Sequence, residues 1–115
     1  MTYGGGVPVY LARGATDMRK SIDGLSLIVS ESFSLDPFSR ALFVFCNRKG
    51  NRVKILEWED SGFWLHLKRL EKGRFKWPGG AGARSIGERE LRWILDGLDP
   101  QTAKGHKVVT ERELV

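Results

Sequence analysis

The sequence predicts an α+β domain, an antiparallel β-meander of three to five strands packed with two main helices. Three observations predict it. ALFVFC (41–46), VKILEW (53–58) and FWLHLKRL (63–70) are β-prone runs separated only by short glycine-containing turns, NRKGN and DSG. Met18, Ile22, Leu25 and Val29 recur at helical spacing, as do Leu91, Ile94, Leu95 and Leu98. The chain has 115 residues and is 41% hydrophobic, which suits one domain with its own core.

Taken in order, residues 1–8 are a loose, glycine-rich N-terminus, 9–99 the single domain, and 100–115 a polar tail. VPVYLA (7–12) is a short strand, and Pro8 puts it at a sheet edge or at a strand start. Thr16 is placed to cap the first helix, with Asp17 in its first turn, where the helix dipole favours negative charge. Gly24 inside that helix costs about 1 kcal/mol relative to Ala, so packing must hold it. Asp36-Pro37 marks a turn.

If both meander turns are two-residue loops, one face carries Phe43, Phe45, Leu56, Trp58, Phe63, Leu65 and Leu67. The other carries Leu42, Val44, Cys46, Val53, Ile55, Trp64 and His66. Both faces are largely apolar, so helices, a terminal segment or a second subunit must cover the second one. Residues 75–77 suit a further short strand, and PGGAG (78–82) a hinge. The last helix starts either at Ser85, with Glu88, or at Gly87, with Glu90. Gly97 or Asp99-Pro100 ends it.

Charge supplies the functional reading. Lys and Arg number 19 against 14 Asp and Glu, a net +5, which favours a polyanionic partner. Because a meander reverses at each turn, Arg48, Lys49 and Arg52 come to the same end of the sheet as Lys68, Arg69, Lys72, Arg74 and Lys76. Glu57, Glu59 and Asp60 go to the opposite end. That is the footprint of a phosphate-binding surface, and Phe75 and Trp77 within it are candidates to stack on bases. The rival reading is a solvated rim with Phe75 and Trp77 in the core, and the residues alone leave both open. Trp64, at the centre of the second apolar face, is the candidate contact for a protein partner or a second copy.

Other chemistry is thin. The single Cys46 excludes an internal disulfide and a multi-cysteine zinc site. Neither His66 nor His106 has a partner at metal-ligand spacing. Glu57, Glu59 and Asp60 could be imagined around magnesium, but acids at a hairpin turn are commonly just solvated. PGGAGAR lacks the order of a phosphate loop. No catalytic residue, metal or cofactor is expected. The N-terminus lacks the pattern of a signal peptide, and no apolar run approaches the ~20 residues of a membrane span, so a cytoplasmic protein without a membrane partner is expected.

Three stretches carry a resemblance: VYLARGATDMRKSIDGL (9–25), DPFSRALFVFCNRKGNRVKILEWEDSGFWLHLKRLEKGRFKWP (36–78) and ELRWILDGLD (90–99). Together they resemble TnpB, the Orf2-like accessory protein family of insertion-sequence-66 transposons. The resemblance implies a bacterial mobile-element protein that acts in transposition beside a larger transposase without being the recombinase itself. The transposase of the same element is thus one expected partner, and transposon-end DNA, which the basic end favours, is the other. The motif positions it carries over are Asp17, Met18, Arg19, Lys20, Asn47, Arg48, Lys54, Lys68, Arg69, Glu71, Gly73, Arg74 and Trp77. The leading expectation is a non-catalytic factor that binds transposon DNA, the transposase or both through its basic end. The alternative is a protein–protein adaptor or homo-oligomer built on Trp64.

Overall fold

A computed structural model describes residues 6–97. Along the chain run β1 (Val9–Ala12), α1 (Ile22–Leu27), which passes into a π-helical turn (Ile28–Ser32), β2 (Leu42–Cys46), β3 (Arg52–Glu59), β4 (Gly62–Arg69), β5 (Ala83–Ile86) and α2 (Glu88–Leu95). The five strands form one sheet in the order β4-β3-β2-β1-β5. It is an α+β fold whose sheet is antiparallel except between β1 and β2.

The meander has the register read from the sequence. Phe43 faces Leu56, which faces Leu65, and Val44 faces Ile55, which faces His66. Asp60 and Ser61 close the second hairpin between Glu59 and Gly62, with Asp60 at φ 49°, a conformation that Asp tolerates better than most residues. The first hairpin is looser, with Asn47 N–H donating to the Arg52 carbonyl at 3.1 Å, and keeps the same parity.

Both faces are covered from within the chain. Leu25 and Val29 of the first helix pack on Phe43, Phe45 and Leu56. On the opposite face Leu91, Ile94 and Leu95 of α2 pack with Phe75 on Val44, Val53 and Ile55. β2, buried at all five positions, lies between the two layers, which is why it reads as an unbroken apolar run. Each fully buried Leu or Phe contributes roughly 1.5–3 kcal/mol.

Two expectations are corrected, and one open alternative, the place of β1, is decided. Residues 75–77 form no strand, and the fifth strand is instead Ala83–Ile86, pairing antiparallel with β1. ARSI has little strand character of its own; β1 offers it an unpaired edge, so pairing overrides propensity. β1 is therefore an inner strand, and Pro8 marks its start, with its carbonyl accepting from Leu42 N–H at 2.9 Å. Thr16 does not cap the first helix. Its N–H donates to the Cys46 carbonyl at 2.7 Å, residues 17–20 make a separate turn, and the helix begins at Ile22 behind Ser21.

Of the two possible starts for α2 the chain uses Gly87, whose N–H donates to Glu90 Oε1 at 3.4 Å. Gly97, at φ 80°, follows its last turn. The first five residues of the N-terminus, the Asp99-Pro100 stop and the C-terminal tail lie outside the described residues.

Candidate nucleic-acid interface

Strand directions decide which loops meet. β1 and β2 run parallel, so their C-terminal ends emerge together, beside the start of β3, the end of β4 and the start of β5. Backbone hydrogen bonds then stitch these loops into one surface. Leu70 N–H donates to Asn51 O at 2.8 Å and Phe75 N–H to Gly50 O at 2.7 Å. Gly14 N–H donates to Pro78 O and Arg13 N–H to Gly82 O, both at 2.9 Å. Arg48, Lys49 and Arg52 are thereby held against the segment that carries Arg69, Lys72, Arg74 and Lys76.

Several motif residues build this surface. Asn47 Oδ1 accepts from the N–H groups of Asn51 and Arg52, each at 3.0 Å, and Asn47 Nδ2 donates to Asn51 Oδ1 at 2.7 Å. One side chain thus shapes the whole 47–52 loop. Gly73 turns the second segment at φ 78°, a left-handed conformation that side chains disfavour.

Lys54 Nζ donates to the carbonyls of Met18 and Lys20 at 2.7 and 2.8 Å, fastening the 17–20 turn onto the sheet. Asp17 pairs within that turn with Arg19, NH2 to Oδ2 2.8 Å, and these hydrogen bonds lower its carboxyl to about 2. Met18 packs against the cluster beneath the first helix.

Phe75, Trp77 and Lys68 have structural roles that the sequence left open. Phe75 is 3% exposed, in the core under α2, so no ring face is presented for a base. Trp77 is half-buried against the same core, and its Nε1–H donates to the Ala12 carbonyl at 2.8 Å. Burial overturns the stacking reading for Phe75, whereas Trp77 keeps a partly exposed ring with its N–H committed to the backbone. Lys68 Nζ donates to the Leu95 carbonyl at 2.6 Å, at the C-terminus of α2, where a cation is favoured by the dipole.

Arg48, Lys49, Arg52, Lys72, Arg74 and Lys76 are exposed and make no ion pair among the described residues. Arg52 stands directly opposite Arg69 across β3 and β4. Like charges in that position are destabilising, and Glu71, 2.9 Å from Arg69, offsets only part of the repulsion. At ~8 Å in water each further like pair costs about 0.5 kcal/mol before screening. An anion laid across this end relieves that repulsion at several positions together.

The opposite end is acidic. Glu57 pairs with His66 at 3.0 Å, and Glu59 accepts from Trp64 Nε1 at 3.2 Å. Among the described residues no three His, Cys, Asp or Glu side chains gather as a metal site. Burial pushes the Cys46 thiol up to about 11, far from a reactive thiolate. No helix among the described residues is long and apolar enough to cross a membrane.

The Lys54 clamp was missed by reasoning from sequence, although a signal was available. Lys54 lies cross-strand from Phe45 on the face under the first helix, and a lone cation at such a position needs carbonyl partners.

Comparisons with known proteins identify the family. A family model described as IS66 Orf2 like protein matches residues 7–105. The uncharacterized protein y4hO of Sinorhizobium fredii (strain NBRC 101917 / NGR234) is 40% identical over 97 residues, 84% of each chain. The uncharacterized protein y4jC of the same strain is 30% identical over 95 residues, covering 82% of this chain and 81% of its own. No solved structure matches.

Proposed function

We propose, because the chain belongs to the IS66 Orf2-like family of transposition-associated accessory proteins, that it binds the DNA of its element through the basic end of the sheet. The binding is non-catalytic, and the transposase is the second partner, supplying the chemistry and the choice of site. The observation that carries this reading is the set of exposed cations that make no ion pair among the described residues, gathered from two separate loops and including Arg52 set against Arg69.

The contacts suit phosphate rather than base edges. With Phe75 buried and Trp77 half-buried, the surface offers chiefly point charges and forks. Phosphate contacts set affinity and register and carry little sequence information. Affinity for unrelated duplexes should therefore equal that for the element's own ends, and fall steeply with salt.

The test is fluorescence anisotropy of a labelled terminal-repeat duplex across a salt series, with wild type and the double variant Arg52→Gln, Arg74→Gln. Each phosphate contact removed should lower the slope of log K against log salt by about 0.9, so the variant should lose about 1.8. Absence of wild-type binding at low salt, or an unchanged slope in the variant, refutes the reading. The basic end would then be a docking surface for an acidic protein.

A further inference from the structure

We infer that β4 is a self-association edge, pairing antiparallel with β4 of a second copy to make a continuous ten-stranded sheet. The inference is independent of DNA binding. β4 is the terminal strand of the sheet and eight residues long. Leu70 N–H bonds to Asn51, and paired positions in an antiparallel ladder alternate. The backbone groups of Gly62, Trp64, His66 and Lys68 therefore point to β3. Those of Phe63, Leu65, Leu67 and Arg69 point outward, along an edge that no other strand among the described residues pairs.

Such an edge is normally blunted by charge, proline, a bulge or shortness. The other edge strand, β5, follows this rule: it has four residues and exposes Arg84 and Ser85. The FWLHL run of β4 has none of these devices before Lys68. It also presents one large apolar side chain on each face, Trp64 at 55% and Leu67 at 62% exposure. Trp64 lies beyond the cover of α2 and Leu67 beyond that of the first helix.

Charge selects the occupant. One end of β4 carries the Glu59–Asp60 hairpin and the other carries Lys68 and Arg69. An antiparallel copy sets each acidic hairpin beside the other's basic end, whereas a parallel copy opposes like charges. The strand is thus self-complementary about a two-fold axis. With Leu65 on that axis, Phe63 meets the second copy's Leu67 on one face, and Trp64 meets its His66 on the other. Both exposed apolar side chains are then covered, and every outward backbone group from Phe63 to Leu67 gains a partner.

The test is light scattering after size exclusion on the full chain at about 100 μM, with mass as the readout. The chain weighs 13.0 kDa, and a species of twice that mass is expected. Leu67→Lys, at an exposed position, should return the monomer with unchanged far-ultraviolet circular dichroism. Asp60→Lys alone and Arg69→Asp alone should each weaken the dimer at least tenfold, and the two together should restore it. A wild-type monomer at this concentration overturns the inference. So does a dimer that Leu67→Lys leaves intact, or one that the double charge exchange fails to restore.

Discussion

Replacing Lys54 with Met isolates one tertiary clamp. The ammonium bonds two carbonyls, Met18 O at 2.7 Å and Lys20 O at 2.8 Å, and so ties the turn before α1 to the middle of the sheet. Met keeps the packing of the stem and removes both bonds. Hydrogen bonds to charged groups contribute about 1.5–3 kcal/mol each. The lysine is only half-buried, and water can reach the freed carbonyls of an exposed turn, so the low end applies. The expected loss is about 3 kcal/mol, or a fall of roughly 12 °C in Tm for a domain of this size.

Urea unfolding measures it, and the m-value should not change, because the same surface is buried. Hydrogen exchange at Lys20, whose N–H donates to the Asp17 carbonyl at 3.1 Å, and at Leu25, whose N–H donates to the Ser21 carbonyl at 2.9 Å, should accelerate with it. The salt slope of DNA binding should stay at the wild-type value, since this cation is committed to the protein's own backbone. A loss below about 0.5 kcal/mol, with exchange at those amides unaltered, would refute the reasoning and leave the turn held by other contacts.

Two further predictions use the core. Phe75→Ala should cost about 3–5 kcal/mol in urea unfolding, because a fully buried ring is removed from beneath α2; a cost below 1 kcal/mol would return Phe75 to the surface. The Cys46 thiol should resist iodoacetamide in the native protein at pH 8 and react when urea exposes it. Its folded pKa of about 11 lies above the ordinary thiol value of 9.0, because burial disfavours the thiolate. Below pH 9 its contribution to stability is fully present. Between pH 9 and 11 the unfolded chain releases the proton first, so stability is lost as pH rises. Cys46→Ala should flatten that part of the wild-type stability curve.

Much of the meander was legible because its signals are local. Two short turns and a period of two decide which of Phe43, Leu56 and Leu65 share a face, and one extra residue would have inverted it. The convergence of Arg48 and Lys49 with Arg74 followed from the same reversal of direction. What was not legible depends on distant partners. Ala83–Ile86 is a strand only because β1 lies beside it. Residues 17–20 leave the helix because Lys54 reaches across to their carbonyls. The burial of Phe75 and the half-burial of Trp77 depend on α2 and on the Ala12 carbonyl, neither of which is near them in the chain.

The inner position of β1 has a consequence for the order of folding. Val9 pairs with Leu42 on one side and Ile86 on the other, so a strand near the start of the chain needs partners far along it. Contacts of such wide separation form slowly, because a long loop must close before they return any stability. The hairpins of β2, β3 and β4 need no such closure and can assemble first. During synthesis Leu11 would leave the ribosome early and wait, without its final neighbours, until residue 86 has followed. The first strand made is thus among the last to be placed, and the apolar flank of β2 stays open to misassembly for that interval.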